Sequence, residues 1–199
     1  MVLTNVREQL LLLLLRDPTR EYTIREVSLI TKINYRQVYQ EIISLAKEEI
    51  ILLKKKGHST ICSLALSENI PLYAYIESLR TASFQRKHPE VKVIINELKS
   101  LPTVYYTALL FGSRVQETAR KNSDIDLLFI IPDNINRERF EGEVSARLRL
   151  LRYPVDINVI TEESFREMGK EKGLNVRKEV LKNHLILSGA EFYYQLLAR

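Results

Sequence analysis

The residues of this sequence that could do chemistry concentrate in residues 109–132, where two apolar runs flank a polar middle. Gly112 and Ser113 end the first run, and Asp124 and Asp126 open the second. Side chains two residues apart on a strand point to the same face, so the two aspartates are expected to lie side by side. Neighbouring carboxylates repel each other unless a cation compensates their charge, and oxygen ligands of this kind suit Mg²⁺. The pattern predicts a metal site at the mouth of a buried strand.

The Gly112-Ser113 pair predicts a phosphate-binding turn. Glycine lets the backbone approach a ligand closely, and a short helix is expected to begin at Ser113 and to run to about Arg120. Backbone amides at a helix start can hold phosphate oxygens, and the serine hydroxyl can add a further bond. Arg114 follows the turn directly and is expected to help neutralise the phosphate charge. Together with the aspartates, this turn predicts a metal-bound nucleotide.

A third carboxylate lies in the segment YPVDINVI, which reads as a strand with Asp156 near its start. On a strand beside that of Asp126, Asp156 would complete a two-metal site and accept the proton of an attacking hydroxyl. Two ions about 4 Å apart stabilise both the incoming and the leaving oxygen of a displacement. The predicted metal ligands and catalytic residues are therefore Asp124, Asp126 and Asp156.

The elements around these residues predict a small mixed sheet covered by helices. TVYYTALLF, residues 103–111, is typical of a strand, and the run after Asp124 is apolar on both faces, which indicates helices on both sides of the sheet. NRERFEGEVSARLRLL, which starts at Asn136 as a plausible cap, is expected to supply one of those helices. Its predicted inward face consists of Phe140, Val144, Leu148 and Leu151.

The first half of the chain predicts three helices followed by a β-hairpin. NVREQLLLLLLRD is a helix that Pro18 ends, and Thr23 with Glu26 three residues later predicts a capping box. In that second helix we expect Ile24, Val27 and Ile30 to face inward. Asn34 is expected to cap the third helix. Two extended runs around the basic glycine turn KKKG, residues 54–57, predict the hairpin.

This order of elements resembles the winged helix-turn-helix DNA-binding domains over about the first 66 residues. The resemblance implies that the third helix is a recognition helix and that lysines at the wing tip contact phosphates. Residues 1–88 carry thirteen Lys and Arg against nine Asp and Glu, whereas residues 89–199 carry seventeen against sixteen. Winged helices also serve as protein–protein modules, which stays an alternative. The implied DNA-binding residues are Tyr35, Arg36, Tyr39, Gln40, Lys54, Lys55 and Lys56.

Gly-Ser, ten residues, Asp-x-Asp and a later strand aspartate resemble the nucleotidyltransferase superfamily that includes DNA polymerase beta, and its minimal members in particular. The resemblance covers residues 101–197 and implies transfer of a nucleoside monophosphate from an NTP, most simply ATP. It implies that Gly112 and Ser113 bind the triphosphate, that Asp124 and Asp126 ligate two Mg²⁺ ions, and that Asp156 completes the site. Where many minimal members have glycine, this chain has Glu117, whose negative charge leaves the strength of catalysis open.

In minimal nucleotidyltransferases the acceptor is often a protein, and some members are antitoxins that adenylylate a HEPN-domain toxin. The resemblance therefore implies a protein hydroxyl as acceptor and a HEPN-type partner. The alternative is a non-catalytic, nucleotide-sensing transcription regulator, since every carboxylate needed for chemistry would also suit nucleotide binding. A template polymerase is not expected, because 199 residues leave no room for thumb or fingers domains.

The expected fold class is α/β (α+β), in three parts. A winged helix over residues 1–68 is followed by a helical linker over residues 69–100 and a small mixed-sheet nucleotidyltransferase domain over residues 101–199. The first linker helix is either a connector or a dimerisation helix, so a homodimer is a further expectation. The single cysteine, Cys62, permits no intrachain disulfide, and the leucine run at residues 10–15 is too short to span a membrane. These features predict a cytoplasmic protein without a membrane segment.

Overall fold

The computed structural model describes residues 5–102, 105–116 and 123–198. Over these ranges the chain is a mixed α/β structure with two sheets, as the sequence predicts. The helices are α1 (Asn5–Arg16), α2 (Ile24–Thr31), α3 (Tyr35–Lys47), α4 (Ile70–Lys87), α5 (Pro89–Leu98), α6 (Arg137–Leu148), α7 (Glu162–Glu167), α8 (Val176–Lys182) and α9 (Ala190–Ala198). The strands are β1 (Tyr22–Thr23), β2 (Ile51–Lys56), β3 (Ser59–Leu64), β4 (Thr107–Phe111), β5 (Ile125–Ile131), β6 (Val155–Thr161) and β7 (Leu185–Ser188).

Local sequence signals fix the ends of the first three helices. α1 ends two residues before Pro18, which cannot continue it. The Thr23 side chain accepts a bond from the Glu26 amide while Glu26 bonds back to the Thr23 amide, so the predicted capping box is confirmed. Asn34 caps α3 by accepting from the Arg36 amide at 2.9 Å. The predicted hairpin is also confirmed: β2 and β3 pair antiparallel, and β1 adds a short third strand in the order β1-β3-β2.

One predicted core position in α2 is wrong. Ile24 and Val27 are buried, but the side chain of Ile30 is 49% exposed. A helix turns by about 100° per residue, so each step of three residues falls about 60° short of a full turn. Two such steps carry Ile30 away from the buried stripe and toward solvent.

The second sheet has the strand order β6-β5-β4-β7 and is covered on both faces, as predicted. β5 and β6 run parallel and are joined through α6, whereas β4 pairs antiparallel with β5 and β7. Leu128 and Ile130 face a core shared with the N-terminal helices. Leu127 and Phe129 face the opposite core, which is formed with α5 and α6. Phe140, Val144 and Leu148 fill that core as predicted. Leu151 lies beyond the end of α6 and packs, partly buried, against the same core.

The strand predicted over residues 103–111 is shorter than expected. β4 begins at Thr107, and residues 103–104 lie outside the described ranges. Tyr105 is 70% exposed, while the Tyr106 hydroxyl donates to the Leu98 carbonyl at 3.0 Å. The side chain of Tyr106 is therefore anchored on the end of α5, one residue before the sheet ladder begins.

α4 connects the two halves of the chain by packing on both. Its Tyr73 hydroxyl donates to the carbonyls of Ile50 and Ala65 at 3.1 and 2.8 Å, next to the first sheet. Its Thr81 hydroxyl donates to the Ile186 carbonyl at 2.7 Å, on β7 of the second sheet. The apolar side of α4 is covered by α1 and α9 of the same chain. Within the described ranges, none of the helices has the length and apolar character required to cross a bilayer.

Candidate active site

The parallel pairing of β5 and β6 brings two of the predicted acidic residues together. Asp126 is the register partner of Asp156, and both lie at the second position of their strands. Asp124 lies just before β5 and is exposed, as is Asp156, while Asp126 is half-buried. The Asn158 amide donates to Asp156 Oδ2 at 3.3 Å from the same face of β6. The fold thus gathers the three aspartates at one end of the sheet.

The predicted phosphate turn lies directly against Asp126. β4 ends at Phe111, the register partner of Asp126, and the chain then forms one 3₁₀ turn over Gly112–Arg114. Gly112 has φ +72°, and a Cβ on it would lie 2.1 Å from Asp126 Oδ2. Only glycine fits between the turn and the carboxylate. Val115 and Gln116 follow as a turn, and the rest of the predicted helix, residues 117–120 with Glu117, lies outside the described residues.

Arg114 holds the turn in place from the other side. Its Nη1 donates to Glu90 Oε1 at 3.1 Å, and its Nη2 donates to the Ser123 carbonyl at 2.7 Å. The guanidinium therefore ties the turn to the start of α5 and to the residue that precedes Asp124. A direct role of Arg114 toward phosphate, like that of Ser113, stays a prediction.

Asp126 lies in a strongly acidic environment. Partial burial, followed by the charges of Asp156, Glu179 and Asp124, raises the pKa of the Asp126 carboxyl, while Arg114 opposes the rise. Glu179 lies on α8, more than fifty residues along the chain from Asp126, and sequence reasoning missed it. Its spacing gives no signal, because only the packing of α8 beside the sheet brings it near. A carboxylate in such surroundings is stabilised by a bound proton or a cation.

The residues around Asp126 suit a hard divalent cation by type and charge, since carboxylate oxygens are the ligands that Mg²⁺ prefers. The tight seat of Asp126 Oδ2 against Gly112 also fixes one carboxylate at the site. No three acidic, histidine or cysteine side chains of the described ranges lie close enough together to hold an ion. Ligation by Asp124, Asp126 and Asp156 therefore stays a prediction.

A cavity of about 470 Å³ opens beside the acidic cluster. It lies between Gln116, which follows the phosphate turn, and the face of α8 that carries Lys178, Glu179 and Lys182. Its volume is within the range of small-molecule sites, about 300–1,000 Å³. Lys178, Lys182 and Glu179 of α8 thus line one space, and Glu179 is also one of the charges that act on Asp126.

The residues predicted to contact DNA lie on the surface of the N-terminal half. Tyr35 and Tyr39 of α3 are 51% and 44% exposed and stack with ring centroids 6.2 Å apart. Arg36 and Gln40 are exposed on the same helix. Lys54, Lys55 and Lys56 are exposed at the end of β2, before the turn at Gly57. These positions are accessible to a partner, and their DNA-binding role stays a prediction.

The family comparison decides the broad chemistry of the second half. Residues 91–187 match the family model described as "Nucleotidyltransferase domain". The match supports a transferase enzyme. The matched span contains the Gly112 turn, the Asp126–Asp156 pair and Glu179, whereas α1 to α4 lie outside it. The nucleotidyltransferase resemblance of the sequence is thus confirmed for this part of the chain.

Among solved structures, the chain is similar to one described as "Crystal structure of the toxin-antitoxin with AMP-PNP". The identity is 23%, the match covers 54% of this chain and 80% of the other, and the TM-score is 0.37. No curated protein matches the chain.

Proposed function

We propose that residues 101–199 form a Mg²⁺-dependent nucleotidyltransferase that transfers AMP from ATP to a protein hydroxyl. The observation that carries the proposal is the Asp126–Asp156 pair, of which Asp126 lies against the Gly112 turn, within the span that matches nucleotidyltransferase domains. The acidic pair and the turn supply the two things such a reaction requires, charge to hold cations and backbone to hold phosphates.

In this proposal each group has one task. Gly112 and Ser113 hold phosphate oxygens of the ATP, and Arg114 keeps the turn in place. Asp124, Asp126 and Asp156 hold two Mg²⁺ ions, which would neutralise the phosphate charge and stabilise the incoming and leaving oxygens. The acceptor oxygen forms a bond to the α-phosphorus while the bond from that phosphorus to the bridging oxygen of the β-phosphate breaks. Pyrophosphate leaves, and the proton of the acceptor hydroxyl passes to Asp156.

We also propose that residues 1–68 are a DNA-binding winged helix and that residues 69–100 are the linker. The exposed side of α3, which carries Tyr35, Arg36, Tyr39 and Gln40, supports a recognition helix. The exposed lysines at the tip of the β2–β3 hairpin support contacts with phosphates.

The proposed protein acceptor is a HEPN-type partner, and the proposed assembly is a homodimer. The HEPN-type partner is proposed from the resemblance of the sequence to minimal nucleotidyltransferases. The homodimer is expected from the first linker helix, α4, and the apolar side of this helix is covered by α1 and α9 of the same chain.

A nucleotide-sensing transcription regulator without turnover is the second candidate function. It is favoured by one contact between the halves, in which Arg16 Nε at the end of α1 donates to Asn183 Oδ1 at 3.4 Å. Asn183 also lines the cavity beside the acidic cluster. A nucleotide in that cavity would therefore lie next to the N-terminal half. Its binding would shift the position of that half without any transfer reaction.

The proposal is tested by incubating the full chain with candidate partners and ATP that is labelled at either the α- or the γ-phosphorus. Transfer of AMP labels the acceptor from α-labelled ATP only and releases the γ label as pyrophosphate. Label that enters the acceptor from γ-labelled ATP would indicate a kinase instead. Binding of ATP without any label in the acceptor would favour the sensor.

A further inference from the structure

A second cavity lies between the two halves of the chain, next to the proposed nucleotide site. It has a volume of about 310 Å³ and is lined by residues of both halves, which we name the arginine pocket: Arg16, Arg80, Phe84, Val115, Gln116, Asn183 and Leu185. Gln116 and Asn183 also line the larger cavity beside Glu179, so the two spaces adjoin. The Gln116 amide donates to the Gly112 carbonyl at 3.3 Å, which places the pocket one turn beyond the phosphate turn.

The charged side chains that line the arginine pocket are positive. Its charged lining residues in the described part of the chain are Arg16 and Arg80, and no carboxylate lines it there. The larger cavity differs, because Glu179 lies among its lysines. An anion would therefore be attracted to the arginine pocket, whereas the carboxylate of Glu179 lines the adjoining cavity.

Arg80 is held rigidly for such a role. Its Nη1 lies 3.4 Å from both carboxylate oxygens of buried Glu77, and its Nη2 donates to the His184 carbonyl. Glu77 is fixed in turn by the Tyr194 hydroxyl, which donates to Glu77 Oε1 at 2.9 Å. A guanidinium carries five N–H groups, so Arg80 retains donors for a ligand while two of its nitrogens are anchored.

Arg16 differs from Arg80 in being exposed and lightly held. Within the described ranges it forms no ion pair, and its hydrogen bond there is the 3.4 Å contact from Nε to Asn183. Its terminal nitrogens can therefore turn toward a ligand without breaking an internal salt bridge. Arginine suits phosphate because its planar fork can donate two parallel hydrogen bonds.

We propose that the arginine pocket binds the terminal phosphates of the nucleotide, so that α1 and α4 of the N-terminal half complete the site of the second half. This inference rests on the proposed nucleotide site at Gly112 and extends it. The Gly112 turn and the acidic pair would hold the reacting phosphate, and Arg16 and Arg80 would hold the end that leaves as pyrophosphate. The ligand chemistry is that of an inorganic or nucleoside polyphosphate.

The test measures affinities of the full chain for tripolyphosphate, ATP and AMP by titration calorimetry. Arg16→Ala should weaken ATP and tripolyphosphate binding about tenfold or more, since a charged hydrogen bond is lost, and should change AMP affinity less than about twofold. Arg16→Lys should retain part of the affinity. Arg25→Ala is the matched control, because Arg25 is exposed on α2 away from the pocket, and it should change nothing.

A second variant, Arg80→Lys, keeps a positive charge toward Glu77. It should weaken the binding of ATP and tripolyphosphate while the chain stays folded.

The pocket is refuted if Arg16→Ala binds ATP and tripolyphosphate as the wild type does, or if its AMP binding falls by the same factor as its ATP binding. Failure of the transfer reaction is distinguishable from this outcome. If polyphosphate binding depends on Arg16 but no transfer occurs, the pocket proposal stands and the enzyme proposal fails. If transfer occurs and Arg16→Ala has the wild-type KM for ATP, the enzyme proposal stands and the pocket proposal fails. A wild type that binds neither ligand overturns both.

Discussion

Asp126 and Asp156 lie opposite each other in register on neighbouring parallel strands. The pair exists because α6 returns the chain in the same direction along the edge of β5, so the second residue of each strand meets the other. The same end of the sheet receives the Gly112 turn, because β4 runs antiparallel to β5 and ends where β5 begins. The central position of β5 between β6 and β4 therefore brings the acidic cluster and the proposed phosphate turn to the same end of the sheet.

The carboxylate of Asp156 should contribute more to turnover than to nucleotide binding. Asp156→Asn should lower kcat about 10²- to 10⁴-fold, the usual contribution of a general base, while nucleotide affinity changes little. Single-turnover kinetics and calorimetry separate the two effects. Asp156→Glu, which keeps a base on the same strand, should retain part of the rate. Equal losses in binding and turnover would contradict the assignment of Asp156 as the proton acceptor.

Because Gly112 lies so close to Asp126, the addition of one methyl group at position 112 should disturb the turn. Gly112→Ala should reduce both ATP binding and stability, because its Cβ would meet Asp126 Oδ2 at 2.1 Å and its φ of +72° strains an L residue. We expect a loss of about 1–3 kcal/mol in the free energy of unfolding, measured with urea. Gly142→Ala on α6 is the control, since its Cβ would meet nothing within 4 Å and alanine favours a helix. Equal stability of the two variants would show that the turn tolerates displacement.

DNA binding by the N-terminal half should separate into two kinds of contact. Replacing Lys54, Lys55 and Lys56 with alanine should weaken binding similarly for all sequences and lower the salt dependence of the affinity. Arg36→Ala should instead relax the preference for one sequence, as expected for a side chain that reads base edges. Lys92→Ala with Lys99→Ala removes charge from exposed positions of the linker region and should have little effect. A wild type without a salt-dependent mobility shift would indicate a protein–protein adaptor.

Local patterns in the sequence predict most of the elements but few of the contacts between them. The capping signals at Thr23 and Asn34 act within three residues and are read directly, as is the hairpin around Gly57. The exposure of Ile30 could have been anticipated from helix geometry. Glu179 near Asp126 and Arg16 near Asn183 could not, because they depend on how helices pack across long separations along the chain. The candidate site is therefore predictable in its aspartates and its turn, and not in the helices that border it.

The buried imidazole of His184 should couple stability to pH. Burial, followed by the nearby charge of Arg80, lowers the pKa of His184 from 6.5 to about 3. Above pH 6.5 the folded and unfolded chains are both neutral at this group, so it has no effect there. As the pH falls from 6.5 toward 3, the unfolded chain binds a proton that the folded chain cannot, and stability is lost by up to about 1.4 kcal/mol per pH unit.

Urea unfolding at pH 7 and pH 5 measures this effect. The wild type should lose about 2 kcal/mol more over that interval than His184→Phe, which cannot titrate. His58→Gln is the control, because His58 is exposed, and it should keep the wild-type dependence. The comparison uses the change with pH rather than the absolute stability, since His184→Phe also loses the bond from Nδ1 to the Val180 carbonyl. The same pH dependence in wild type and His184→Phe would contradict the prediction.

The most direct test of the proposed chemistry is the rate at which α-labelled ATP labels an acceptor in the presence of Mg²⁺, for wild type, Asp126→Asn and Asp133→Asn. Asp133 is exposed just beyond the opposite end of β5, so its variant makes the same change of charge away from the site. The account predicts a loss of about 10³-fold or more for Asp126→Asn, since the amide removes a charge that the cations require, and wild-type rates for Asp133→Asn. Labelling by Asp126→Asn at the wild-type rate, or a wild type that binds ATP with Mg²⁺ and labels no candidate partner, would contradict it.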